Sequence, residues 1–158
     1  MSSAIVCGVD GSHDSRAALD VAARLSDRLG SRLVVAHVAE PAHVPYAAAA
    51  PFGGMGVAGP RAVLDEAESQ EEAAERLLER VVGSAGLADA ERRAAVGLPA
   101  ERLADLADEE EAELIVVGSR GRGALKSAFL GSVSNSLVGV ARCPVLIVPP
   151  GASERDGS

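Results

Sequence analysis

Apolar positions along this chain fall into short continuous runs that alternate with stretches of helical spacing. The first run, "AIVCGV" (Ala4 to Val9), has the character of a buried strand and is closed by the turn signal "DGS". In "DSRAALDVAARLSDRLG" the residues Ala18, Val21, Ala22, Leu25 and Leu29 recur at helical spacing; Ser12 or Ser15 can cap the start and Gly30 can end it. "RLVVAHVAE" predicts a second strand. From Arg61 onward, "RAVLDEAESQEEAAERLLERVVGSAG" predicts the longest helix, with Val63, Ala67, Ala74, Leu77 or Leu78 and Val81 on its apolar face. "ERRAAVG" is a weak third strand. A short helix follows in "PAERLADLADEEEAE", with Pro99 near its first turn, Leu103, Leu106 and Ala107 inward, and the acidic run Asp108 to Glu111 as its solvated end. "ELIVVGS" is apolar on both faces, as a central strand should be. "SVSNSLVGVA" aligns Val133, Leu137, Val140 and Ala141 on one helical face, and "CPVLIVPP" is the last strand.

Five strands alternating with four helices imply right-handed crossovers and a parallel sheet covered on both faces, an α/β doubly wound fold. The pattern shows no internal repeat, so residues 1–150 are expected to form one domain, with 151–158 a disordered polar tail. The stretch Pro41 to Pro60 is rich in Pro, Gly and Ala without a period of its own; it predicts a long loop, either a cover for a site or a plain insertion. Ligands of doubly wound sheets bind at the carboxyl ends of strands where the winding reverses. Two strand ends carry suggestive residues there: Asp10 after the first and Gly118 after the fourth.

Composition narrows the partners. With 15 Lys and Arg against 23 Asp and Glu in 158 residues, the formal charge of −8 repels nucleic acid and anionic membrane surfaces. One Tyr and two Phe leave no base-stacking platform of the kind single-stranded nucleic acid requires. No apolar run is long enough to span a bilayer, and the first residues lack the basic and apolar segments of a secretory signal, so a cytoplasmic location is expected. Cys7 and Cys143 have no metal-type spacing and are expected to be reduced, buried thiols. His13, His37 and His43 pair with neither each other nor a cysteine, and no Ser/His/Asp or Cys/His arrangement suggests a catalytic centre.

The densest chemistry lies in "VGSRGRGALKSAFLGSVSNSL", Val117 to Leu137. A Walker loop is excluded because no Gly-Lys pair occurs in the chain. The dinucleotide fingerprint also fails: Lys126 stands where the third glycine should, and the segment follows the fourth strand instead of the first. What remains is Gly118, two residues, Gly121, nine residues, then Gly131 and Ser132 opening a helix. Glycine at a strand end permits positive φ and a close approach of phosphate to backbone N–H groups. At the helix start, Gly131, Ser132, Val133 and Ser134 offer free N–H groups and the positive end of the helix dipole, and the two serines add hydroxyl donors. No Asp or Glu occurs between Leu114 and Ser153, while Arg120, Arg122, Lys126 and Arg142 do, so this quarter of an acidic chain is locally basic. Each glycine alone could equally make a tight turn or a cap, and Asp10 alone could be a turn residue; together with the missing acids they point to a phosphate site.

"VDGS", "GSRGRGALKSAFLGSVS" and "CPVLIVP" together resemble the universal stress protein family, and specifically its ATP-binding branch, whose motif G-x2-G-x9-G-[S/T] is met by Gly118, Gly121, Gly131 and Ser132. The resemblance covers residues 4 to 149. It implies a five-stranded parallel sheet of order 3-2-1-4-5, of the adenine nucleotide alpha hydrolase-like kind. It also implies ATP with Mg²⁺ as ligand: Gly8 and Asp10 at the ribose end, Val38 lining the adenine pocket, Val117 and Gly118 flanking ribose and phosphates, Gly121 in the phosphate loop, and Gly131, Ser132, Val133 and Ser134 on the phosphate tail. Asn135 departs from the acidic residue expected after the Gly-Ser-Val-Ser run. A homodimer paired through the last strand is implied as well, which would cover an apolar edge. The expected role is nucleotide-dependent regulation without catalysis. Cyclic AMP as the natural ligand, slow ATP hydrolysis and a nucleotide-independent interaction module stay open as alternatives.

Overall fold

A computed structural model describes residues 3–41, 60–121 and 130–152 of the chain. The elements alternate as expected: β1 (Ala4–Gly8), α1 (His13–Leu29), β2 (Arg32–Ala39), α2 (Pro60–Ser84), β3 (Glu91–Val96), α3 (Pro99–Glu109), β4 (Ala112–Gly118), α4 (Ser132–Val140) and β5 (Val145–Val148). All strand pairs are parallel and the sheet order is β3-β2-β1-β4-β5. The winding therefore reverses between β1 and β4. The expected tail beyond Ala152 and most of the Pro41 to Pro60 stretch lie outside the described residues.

Alternate residues of each central strand feed two cores. Val6, Val34, Ala36 and Ile115 face α3 and α4, packing with Leu103, Leu106 and Leu137. Ile5, Cys7, Val35 and Val116 face α1 and α2, packing with Leu19, Leu78 and Val82. Because both sheet faces are covered, β1 is buried along its whole length, and its sequence is a continuous apolar run for that reason.

Local chemistry sets the helix ends. Ser12 caps α1, accepting from the Ser15 N–H at 3.2 Å, and Gly30 closes it at φ 67°, a left-handed position that favours glycine. Ser15 instead donates its hydroxyl to the Ser12 carbonyl at 3.0 Å. Pro99 opens α3, where its missing N–H costs no helical bond.

Three expectations need correction. In α2 the inward residues are Ala74, Leu77, Leu78 and Val82; Val81 is only half-buried and Ala67 is exposed. Among the described residues, the buried positions of this 25-residue helix all lie in its second half. In α4, Leu137 is fully buried but Val140 is 44% exposed; among the described elements the short helix packs mainly on α3. The acidic run is not uniformly solvated. Glu110 accepts from Arg32 at 3.2 Å and from Arg93 at 2.8 Å, and both arginines also pair with Glu91, closing a four-membered ionic ring at the amino ends of β2 and β3. Cys7 is buried and Cys143 half-buried; both are free thiols.

Candidate functional site

The reversal of winding leaves a crevice at the carboxyl ends of β2, β1 and β4, and a cavity of about 490 Å³ occupies it. It runs across the sheet from the end of β2 to the start of α4. Its β2 side is formed by Ala36 to Glu40, with Pro99 and Leu103 of α3 closing over it; Gly8, Val9 and Asp10 form the middle with Val117 and Gly118; Arg120, Gly121 and Gly131 to Ser134 form the far side. Every residue that the sequence marked for a ligand stands in this one wall: Gly8, Asp10, Val38, Val117, Gly118, Gly121, Gly131, Ser132, Val133 and Ser134.

Asp10 is fixed by its own turn. Its Oδ1 accepts from the Ser12 N–H at 2.8 Å, and its N–H donates to Ser15 Oγ at 3.3 Å. This short-range bonding lets the chain leave β1, turn and enter α1 with the carboxylate held toward the crevice. Across from it, a Cβ on Gly121 would stand 2.7 Å from Asp10 Oδ2, so a side chain there would displace the carboxylate, whereas glycine lets it stay against the loop.

At the start of α4, Gly131 provides no side-chain cap, which leaves the first N–H groups of the helix for a ligand. The Gly131 N–H donates to the Ser119 carbonyl at 2.7 Å, and Ser134 Oγ donates to Ser119 O and Gly131 O at 3.2 and 3.1 Å. Ser119 is a junction. Its N–H donates to Val148 of β5 at 2.9 Å and its hydroxyl to Asp14 Oδ2 at 3.4 Å, while Arg120 Nε lies 3.5 Å from the same Asp14 oxygen.

These contacts change the reading of the motif in four ways. Gly118, Gly121 and Gly131 do not use left-handed φ; what each requires is space. A Cβ on Gly118 would meet the Asp14 backbone carbon at 2.8 Å and its carbonyl oxygen at 2.9 Å, so this glycine admits the first turn of α1 as its nearest neighbour. The Ser134 hydroxyl proton is committed to backbone carbonyls and its residue is 2% exposed, so it braces the loop instead of donating to a ligand. The local excess of positive charge is also partly answered from elsewhere, by Asp14 on Arg120 and by Asp108 on Arg142 at 3.0 Å. Arg122 and Lys126 lie outside the described residues.

Three participants escaped the sequence. His37 lines the cavity with Nδ1 donating to the Val9 carbonyl at 2.6 Å, tying β2 to the end of β1. It has no metal or catalytic partner pattern in the sequence; its place immediately before Val38 at a strand end was the available signal. Glu40, one residue past the strand, lines the same wall. Asp14, an acid in the first turn of α1, has helix stabilisation as its ordinary explanation, and only the fold brings it to Ser119 and Arg120.

Fold and site together define an α/β crevice protein with a helix start that has no side-chain cap beside a strand-end carboxylate. Residues 1–149 match the profile of the universal stress protein family. The Thermus aquaticus "Universal stress protein in QAH/OAS sulfhydrylase 3'region" is 36% identical over 145 residues, spanning 91% of this chain and 96% of its own. Among solved structures, UspA from Lactobacillus plantarum superposes with a TM-score of 0.66 at 21% identity, covering 92% of this chain and 97% of its own. A universal stress protein in complex with cAMP superposes with a TM-score of 0.61 at 29% identity, covering 94% and 97%. The chain belongs to the universal stress protein family, and its fold is a five-stranded parallel sheet of order 3-2-1-4-5.

Proposed function

We propose that this protein binds ATP with Mg²⁺ in the crevice and acts as a nucleotide-dependent regulator in the stress response. The observation that carries the reading is the convergence of Val38, Asp10, Gly121 and the start of α4 on one cavity. Its size suits a small-molecule ligand, for which roughly 300–1,000 Å³ is usual. Ala36, Val38, Pro99 and Leu103 supply an apolar slot for a base, Asp10 an acceptor for ribose hydroxyls, and the first N–H groups of α4 a seat for phosphate. Among the described residues no cluster of three metal-ligating side chains exists. Mg²⁺ would accordingly be held mainly by the phosphates.

Regulation is favoured over catalysis because, among the described residues, Asp10 is the one histidine or carboxylate base toward the phosphate side of the cavity; His37 and Glu40 stand at the β2 side. A cytoplasmic homodimer paired through β5 belongs to the same proposal. Val145, Leu146 and Ile147 of that edge strand are only half-buried in the single chain, and a second copy would cover them. No described helix is long and apolar enough to cross a membrane.

One observation supports a second reading: the structural relative at 29% identity is a complex with cAMP. Native mass spectrometry of freshly purified protein, followed by titration with ATP and cAMP, separates the two. A dimer carrying one ATP-sized adduct per chain and preferring ATP is the expected result. Preference for cAMP would replace the ligand, and a protein that ignores both would leave an interaction module built on the same fold.

A further inference from the structure

We propose that Arg120 makes the site count phosphates, favouring nucleoside triphosphates over monophosphates and cyclic monophosphates, and that Asp14 positions it to do so. The inference rests on the nucleotide reading of the crevice and extends it to the choice among nucleotides. Arg120 is the one permanently charged cation among the described residues of the cavity wall, where Asp10 and Glu40 are the carboxylates. It stands at the α4 end: a Cβ on Gly131 would lie 3.3 Å from the Arg120 Cα.

A single phosphate needs little from it. The neutral N–H groups at the start of α4 can satisfy one anionic group, and a cyclic phosphate carries only one charge. Each added phosphate brings charge into a wall whose carboxylates oppose it, and Arg120 is the group that can answer. The way it is held suits the task. Asp14 Oδ2 meets Nε at 3.5 Å, and no other described carboxylate pairs with the guanidinium, which leaves the two terminal nitrogens able to form a fork toward phosphate oxygens. Asp14 is itself 14% exposed at its side chain and takes the Ser119 hydroxyl on the same oxygen, so it aligns two successive residues of the loop at once.

Calorimetric titration of the full chain with ATP, ADP, AMP and cAMP, with Mg²⁺ present, tests the proposal in Arg120→Gln, Arg120→Lys and Asp14→Asn. Wild type is expected to prefer ATP to AMP. Arg120→Gln should weaken ATP by about 10- to 100-fold, the value of a charge-assisted contact, and AMP or cAMP by less than about twofold. Arg120→Lys should keep part of the preference, and Asp14→Asn should lower the ATP-to-AMP ratio without altering AMP. Melting curves of the variants confirm that the binding data come from folded protein. An equal loss for all four ligands would overturn the proposal, since Arg120 would then only shape the loop; so would a wild type indifferent to phosphate number. A wild type that binds none of the four would instead remove the nucleotide reading, and this inference with it.

Discussion

Replacing Gly118 by alanine separates packing from ligand contact at the end of β4. The added Cβ would stand 2.8 Å from the Asp14 carbonyl carbon, 2.9 Å from its oxygen and 3.1 Å from its Cβ. Two of these atoms are backbone, so no rotamer change relieves the contact; the first turn of α1 must retreat by several tenths of an ångström. Overpacking of this kind costs about 1–3 kcal/mol. At roughly 2–4 °C per kcal/mol for a domain of this size, the melting temperature should fall by about 2–12 °C. Gly139→Ala is the control. Nothing lies within 4 Å of its Cβ position in α4, and alanine there should add roughly 0.5–1 kcal/mol through the lost freedom of glycine. Scanning calorimetry of both variants, with nucleotide affinity measured on the folded fraction, gives the answer. A Gly118→Ala protein that melts with wild type would refute the packing argument.

Three further outcomes are expected. Glu91 is held below the ordinary glutamate range, first by the hydrogen bond from Arg32. Its stabilising effect is therefore complete above the unfolded-state value of about 4.3 and lost as pH falls through the lower folded value; urea midpoints taken from neutral to acid pH should drop more steeply in wild type than in Glu91→Gln, and parallel curves would contradict this. The Cys7 thiol is pushed up to about 12 by burial and by the charge of Asp20, so a thiol reagent at neutral pH should modify half-buried Cys143 first and Cys7 only at the rate of unfolding. Finally, Ser134→Ala removes a hydroxyl bonded to two backbone carbonyls. It should cost about 1 kcal/mol while leaving nucleotide affinity within about twofold; a large loss of affinity with full stability would return Ser134 to direct ligand contact.

Much of the fold was legible because the sheet is central and doubly covered. Runs such as Ile115 to Val117 must be apolar on both faces, and helical spacing then fills the gaps between them. The period of α2 was less informative than it looked. Ala67 fits an apolar stripe, yet the sequence does not say where the sheet stops beneath a long helix. Glu110, at the end of α3, shows the same blindness to distance, since its partners Arg32 and Arg93 come from β2 and β3. At the site, the glycine spacing marked residues that line one cavity, but not the reason for each glycine. Gly118 was legible as a small residue at a strand end; that its neighbour is the carbonyl of Asp14 depends on how α1 leans on β4. His37 and Ser134 were visible as polar residues near the motif, and only their partners, Val9 and Ser119, decide what they do.

The 2.7 Å bond from the Gly131 N–H to the Ser119 carbonyl closes the chain on itself between these two residues. Both ends of the closed segment are thereby staked to the sheet, one through Ser119 to Val148 and the other through α4. Lengthening a closed segment costs only the logarithm of its length, about 0.6 kcal/mol per doubling. The separation of the two ends is therefore set by this bond and not by the number of residues it spans, while Arg120 and Gly121 keep their places in the cavity wall. A signature defined along the chain by counting residues is, in three dimensions, a frame clasped by one backbone hydrogen bond.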